Sequence, residues 1–146
     1  MKRCIVFIDD SPMTRDLAAM ALSDTGCEVQ TCPDAEAGLR AVQAKRPALA
    51  AVVVDTHLPG ADVAHLVASV RAMAPDIPLI FLLDCGPRPP DTQLAQQYSA
   101  YTLAKPFTPQ ELLAVARAAL QEDGGGTPAC SEDGRPASQS LRTSSP

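Results

Sequence analysis

Three short stretches of this chain hold residues whose types and spacing suit chemistry. Asp9 and Asp10 stand side by side directly after the apolar run of residues 5–8. A second apolar run, residues 49–54, also ends in an acid, Asp55. The pair Lys105-Pro106 follows a third, shorter run at residues 101–104. Like charges side by side repel, and a buried unpaired carboxylate is costly, so the acids need a partner. Three carboxylates in one crevice would also shift one another's titration. A hard divalent cation removes that penalty, and Mg²⁺ takes one or two carboxylates together with waters and phosphate oxygens. Asp9, Asp10 and Asp55 therefore read as a Mg²⁺ site, with Lys105 as a fixed positive charge across the crevice. Metal and ammonium together suit a phosphoryl group and the charge that develops as it is transferred.

These residues meet only if the runs that carry them lie side by side. Apolar runs alternate with helical patterns along the chain. The run at 5–8 reads as a buried strand, with Ser11 as helix cap and Pro12 at the first helical position. Met13, Leu17, Met20 and Ala21 recur at helical spacing to about Asp24, and Gly26 closes that helix. A short strand at 28–31 leads to a second helix capped by Asp34. The strand at 49–54 is followed by the turn Pro59-Gly60 and a third helix from about Ala61 to Met73. Residues 79–83 form another buried strand. The proline-rich stretch at 84–90 predicts a loop, and a weak helix follows at 92–98. After the strand at 101–104, Thr108-Pro-Gln-Glu111 is a capping box that opens a last helix. Continuous apolar strands imply a sheet covered on both faces. The expectation is an α/β fold of flavodoxin-like type: a (βα)5 doubly wound, five-stranded parallel sheet in a three-layer sandwich. Right-handed crossovers favour the order 2-1-3-4-5. In that order strands 1 and 3 are neighbours, and ligands bind beyond their carboxyl ends.

The bulk composition narrows the function classes. The chain has 146 residues, 46% of them hydrophobic, which suits one domain with a real core. Aromatics make up 3% with no Trp, so that core is aliphatic. A net charge of −5 without a Lys/Arg run speaks against nucleic-acid or membrane-surface binding. The apolar runs are strand-sized, too short for a bilayer span, and the N-terminus does not resemble a secretory signal. A cytoplasmic protein is expected. Cys4, Cys27, Cys32, Cys85 and Cys130 form neither zinc pairs nor a disulfide frame, so they read as small buried residues, with a redox pair at Cys27 and Cys32 as the lesser alternative. Residues 1–121 are assigned to the folded domain. Residues 122–146, rich in Gly, Pro and Ser, are expected to form a disordered tail.

Phe7-Ile-Asp-Asp-Ser-Pro12, Val52-Val-Val-Asp-Thr-His-Leu-Pro-Gly60 and Lys105-Pro-Phe107 together resemble the receiver domain of bacterial two-component response regulators. The resemblance runs from about Arg3 to Leu120. It implies that Asp55 is the phosphoacceptor, served by a histidine kinase or a histidine phosphotransfer protein. It also implies that Asp10, Asp55 and the His57 backbone carbonyl hold Mg²⁺, with Asp9 assisting, that Lys105 contacts the phosphate, and that the Lys105–Pro106 bond is cis. A downstream protein partner would read the result. With no effector domain expected, the chain reads as a single-domain regulator, a signalling phosphoacceptor and not a turnover enzyme. The His57 side chain reads first as a solvated loop residue, and otherwise as one that tunes the approach of water. His65 reads as a solvated helix residue.

The chain departs from the family pattern at its switch. Counting back from Lys105, the strand-4 position that holds Ser or Thr in the family is Leu83, and a one-residue shift offers only Asp84. The position of the family's aromatic switch residue is Thr102; Tyr101 is one place off and expected on the other face. Val63 stands where a glycine is usual, and Pro87, Pro89 and Pro90 fall in the fourth helix. The rival reading is a pseudo-receiver, a protein-binding scaffold whose output ignores phosphate. An aspartyl-phosphate phosphatase is disfavoured, because that class sets its nucleophile in an Asp-x-Asp motif on the first strand.

Overall fold

The computed structural model describes residues 2–84 and 89–121. The segment 122–146, with the tail expected there, and the residues Cys85, Pro87 and Cys130 lie outside the described residues. Five strands and five helices alternate: β1 (Cys4–Ile8), α1 (Pro12–Leu22), β2 (Glu28–Cys32), α2 (Ala35–Lys45), β3 (Leu49–Asp55), α3 (Val63–Met73), β4 (Leu79–Leu83), α4 (Pro89–Tyr98), β5 (Tyr101–Ala104) and α5 (Pro109–Gln121). The strands are all parallel, in the expected order β2-β1-β3-β4-β5.

The three central strands, β1, β3 and β4, are buried along their whole length. Successive side chains point to opposite faces, so the sheet feeds two cores. Cys4, Val6, Ile8, Val52, Val54, Leu79, Phe81 and Leu83 share one core with α2 and α3. Ile5, Phe7, Ala51, Val53, Ile80 and Leu82 share the other with α1 and α5. Cys4 and Cys32 are buried free thiols in the first core, whereas Cys27 packs against the second. Burial pushes the Cys32 thiol up to about 11, with the Asp34 charge adding to the effect. These three cysteines are packing residues, and the sheet separates Cys27 from Cys32.

Local chemistry sets the helix ends. The Ser11 hydroxyl accepts from the Thr14 N–H at 3.3 Å, and Pro12 occupies the first turn, where no N–H is needed. Gly26, at φ 82°, ends the short 3₁₀ turn after α1. Asp34 caps α2 through the Ala37 N–H at 2.8 Å. The capping box of α5 is present in both directions, Thr108 N–H to Glu111 Oε1 at 2.8 Å and Glu111 N–H to Thr108 Oγ1 at 3.1 Å.

Three expectations shift. α3 begins at Val63 and not near Ala61, because the Asp62 carboxylate accepts from the His65 N–H at 3.1 Å and makes Asp62 the cap. α4 starts at Pro89, inside the stretch read as loop; Pro89 and Pro90 occupy the first turn, the one place a helix accepts proline. Met13 and Met20 are exposed, and α1 instead buries Ala18, Ala21 and Leu22.

Candidate functional site

The acids collect at the carboxyl edge of the sheet. β1 and β3 pair up to Ile8–Val54, so Asp9 and Asp55 leave adjacent strand ends together. Asp9 is fully buried, Asp55 is 3% exposed, and Asp10 faces solvent. Each of the three offers a carboxylate oxygen within 4.8 Å of the others. Lys105, at the end of β5, reaches across: its Nζ lies 2.9 Å from Asp9 Oδ2 and 3.4 Å from Asp55 Oδ2. The peptide between Lys105 and Pro106 is cis.

The carboxylates are held from behind. Asp9 Oδ1 accepts from the Ser11 N–H at 2.8 Å, and the Asp9 carbonyl accepts from Arg15 Nη1 at 2.9 Å. Asp55 Oδ1 accepts from the His57 N–H at 2.9 Å. Thr56, between them, is anchored to β4 through its hydroxyl, which donates to the Leu82 carbonyl at 2.9 Å. Asp55 Oδ2 is thus the oxygen left to face Lys105 and the crevice.

Electrostatics agree with this geometry. Burial raises the Asp55 carboxyl above its ordinary range; the Asp9 charge adds to this, while the His57 N–H and Lys105 oppose it. Burial alone would lower Lys105, yet its contacts with Asp9 and Asp55 outweigh burial and hold the ammonium above its usual value. The buried Asp9 Oδ2 has no hydrogen-bond partner among the described residues. Its contact with Lys105 is an ion pair at 2.9 Å. One ammonium facing three carboxylates leaves net negative charge at the site, and an oxygen-seeking cation answers that excess. The residues present therefore fit Mg²⁺.

Beside Lys105 lies a cavity of about 330 Å³ lined by Met13, Thr14, Leu17, Asp84, Lys105, Pro106 and Phe107; Asp9, Asp10 and Asp55 do not line it. Leu83 is buried in the core on the α3 and α4 side and brings no hydroxyl to the site. Thr102 is exposed. Tyr101 packs against the α5 core, its hydroxyl donating to the Ala118 carbonyl at 3.5 Å. His65 is exposed, as expected.

His57 is not a solvated loop residue. Its side chain is 22% exposed, with Nε2 3.0 Å from Asp91 Oδ2 on α4 and Nδ1 3.6 Å from Asp84 Oδ2 at the end of β4. Sequence reading missed Asp91 as its partner, and Arg15 as the prop beneath Asp9. No local signal marks Asp91, which looks like an ordinary acid in a first helical turn. Arg15 was findable only as a helical residue one turn beyond the Ser11 cap.

A 2-1-3-4-5 parallel sheet with three aspartates delivered by its first and third strands, and a lysine by its fifth, has the architecture of a receiver domain. The family model for the response regulator receiver domain matches residues 5–117, and the chain belongs to that family. It is 32% identical to the transcriptional regulatory protein PrrA of Mycobacterium tuberculosis over 89% of this chain and 54% of that protein. It is 34% identical to an uncharacterised 14.6 kDa protein of Leptolyngbya boryana, over 75% of this chain and 83% of that one. The structure of the chemotaxis protein CheY4 of Vibrio cholerae superposes with a TM-score of 0.72 at 26% identity, covering 82% of this chain and all of that one. The chain spans about half the length, or less, of the first curated regulators it matches. It carries the receiver domain of a response regulator in two-component signalling. Among the described residues no helix is long and apolar enough to cross a membrane.

Proposed function

We infer that Asp55 accepts a phosphoryl group from a histidine kinase or a histidine phosphotransfer protein, and that the phosphorylated domain signals through protein–protein contacts. The observation that carries this reading is the meeting of Asp9, Asp10, Asp55 and Lys105 in one crevice. The His57 N–H fixes Asp55 Oδ1, so Oδ2 is the nucleophile. Its new P–O bond forms as the donor's bond to phosphorus breaks. Asp9, Asp10, Asp55 and the His57 carbonyl would hold Mg²⁺, which supplies charge neutralisation at the phosphoryl oxygens when bound. Lys105 stays an ammonium and turns from the carboxylates toward a phosphoryl oxygen. Asp9, propped by Ser11 and Arg15, keeps the buried negative field that holds both cations in place. Water later hydrolyses the acyl phosphate, so the domain is a phosphoacceptor and not a turnover enzyme. A cytoplasmic setting is part of the same reading.

Intact-mass analysis after treatment with acetyl phosphate and Mg²⁺ tests the reading. Wild type gains one phosphoryl mass and Asp55→Ala gains none; a gain in both moves the acceptor elsewhere. A second reading, the phosphate-independent scaffold, is favoured by Leu83, since a buried leucine at that strand end offers no hydroxyl to follow the phosphoryl group. Beryllofluoride separates the two: an adduct that leaves α4, β5 and α5 unchanged supports the scaffold.

A further inference from the structure

His57 joins the acceptor turn to α4. Its backbone N–H is bonded to the acceptor carboxylate, Asp55 Oδ1, at 2.9 Å. Its ring is bonded to Asp91 in the first turn of α4, with Nε2 and Oδ2 3.0 Å apart. An ionised carboxylate only accepts, so Nε2–H is the donor. The ring's other nitrogen faces Asp84, at 3.6 Å, which lines the cavity beside Lys105.

α4 is lightly attached. Ala95 is its buried residue among those described, with Leu94 and Tyr98 partly covered. At its C-terminal end the Tyr98 carbonyl accepts from Arg71 at 3.3 Å, and Arg71 is itself held by the carbonyls of Pro75 at 2.7 Å and Ile77 at 2.8 Å in the α3–β4 connection. The Arg71 guanidinium also sits 6.0 Å from the centre of the Tyr98 ring. That end also leads directly into β5, which pairs with β4. The N-terminal end carries a side-chain contact to a residue of the acceptor turn, and that contact is the one placed to respond to Asp55.

We propose that His57 is the residue that couples the state of Asp55 to α4, acting through its bond to Asp91 and taking the place of the hydroxyl that Leu83 lacks. The proposal rests on Asp55 being the phosphoacceptor. Modification of Asp55 alters the bond made by its Oδ1 and brings negative charge toward Asp84. The turn carrying His57 adjusts, and the imidazole changes its hold on Asp91. α4 then tilts about the Arg71 anchor. The effector of the switch is the difference in His57 contacts between the two states, as any coupled equilibrium requires.

The test uses ¹⁵N-labelled full chain, titrated with beryllofluoride and Mg²⁺, with adduct formation followed by ¹⁹F NMR. Asp91 is outside the metal and phosphate site, so Asp91→Ala and Asp91→Asn are both expected to form the adduct. In wild type the adduct shifts the amides of both the 55–57 turn and α4. In Asp91→Ala the turn amides still shift while the α4 response falls at least threefold. Asp91→Asn keeps an oxygen for Nε2–H and retains more than half of the wild-type response, which a mere loss of charge at the helix start would not allow. Wild-type α4 shifts in Asp91→Ala, an unmoved wild-type α4 beneath a formed adduct, or equal losses in Ala and Asn would each overturn the coupling. Absence of any adduct in wild type would instead overturn the phosphoacceptor reading, and this one with it.

Discussion

Asp55 sits at 3% exposure beside a second buried carboxylate, with its carboxyl raised above the ordinary value of 3.8 chiefly by burial. A raised folded value means that the native state holds its proton longer than the unfolded chain does. Stability is therefore untouched below the ordinary aspartate range, falls as pH rises through the window up to the raised value, and stays reduced above it. Asp55→Asn removes this cost. With chelator present, its melting temperature should exceed that of wild type at neutral pH, and the gap should close as pH falls toward 4. A gap independent of pH would show that Asp55 ionises without penalty. The residue that destabilises the empty fold is also the one proposed as the phosphoacceptor, a common compromise at functional positions.

The helices carry their own points of tension. Ser99, which follows α4, holds a left-handed conformation at φ 53°, and the Ala100 N–H closes the helix end onto the Ala95 carbonyl at 2.8 Å. A left-handed L-residue is strained by about 1–2 kcal/mol. Glycine relieves that strain but returns about 0.4–1 kcal/mol of entropy to the unfolded chain. Ser99→Gly should therefore raise stability by roughly 0.5 kcal/mol in urea melts. Gly38 shows the opposite case. α2 approaches β1 so closely that a Cβ at this position would meet Ile8 Cδ1, and Cγ1 at 2.8 Å. Ile8 is fully buried and has nowhere to go. Gly38→Ala should lose about 1–3 kcal/mol by overpacking, despite the better helix propensity of alanine. Ile8→Val in the same chain should recover part of the loss. Additive losses in the double variant would remove Ile8 as the cause.

Across the whole molecule, strand order does what no single element achieves. Lys105 and Asp55 are 50 residues apart in the chain, yet their charged atoms lie 3.4 Å apart. Parallel pairing sends every strand out at the same edge, and the 2-1-3 order sets the two acid-bearing ends side by side. The resulting excess of negative charge should couple cation binding to global stability. A cation at ten times its dissociation constant adds about 1.4 kcal/mol. Mg²⁺ should thus raise the wild-type melting temperature by a few degrees, as read by circular dichroism. Asp10 is exposed, so Asp10→Ala leaves the core intact and should abolish the rise. An equal rise in both would place the cation elsewhere.

What the sequence determined by itself was whatever depends on neighbours along the chain. Continuous runs such as residues 49–54 imply a covered strand, and Ser11-Pro12 or Thr108–Glu111 mark helix starts by short-range hydrogen bonds. The parallel order follows from the alternation of these elements, so the convergence of Asp9, Asp10, Asp55 and Lys105 was legible too. Tertiary structure alone decided how side chains off the strand ends are used. Met13 and Met20 have helical spacing that suits burial, yet α1 turns Ala18, Ala21 and Leu22 to the core, because the placement of the helix on the sheet decides which of its faces is covered. His57 looks like a loop residue until α4, begun earlier than its prolines suggest, brings Asp91 to its ring. Local pattern encodes which residues want burial or a cap; which distant group meets an imidazole is set by how the helices settle on the sheet.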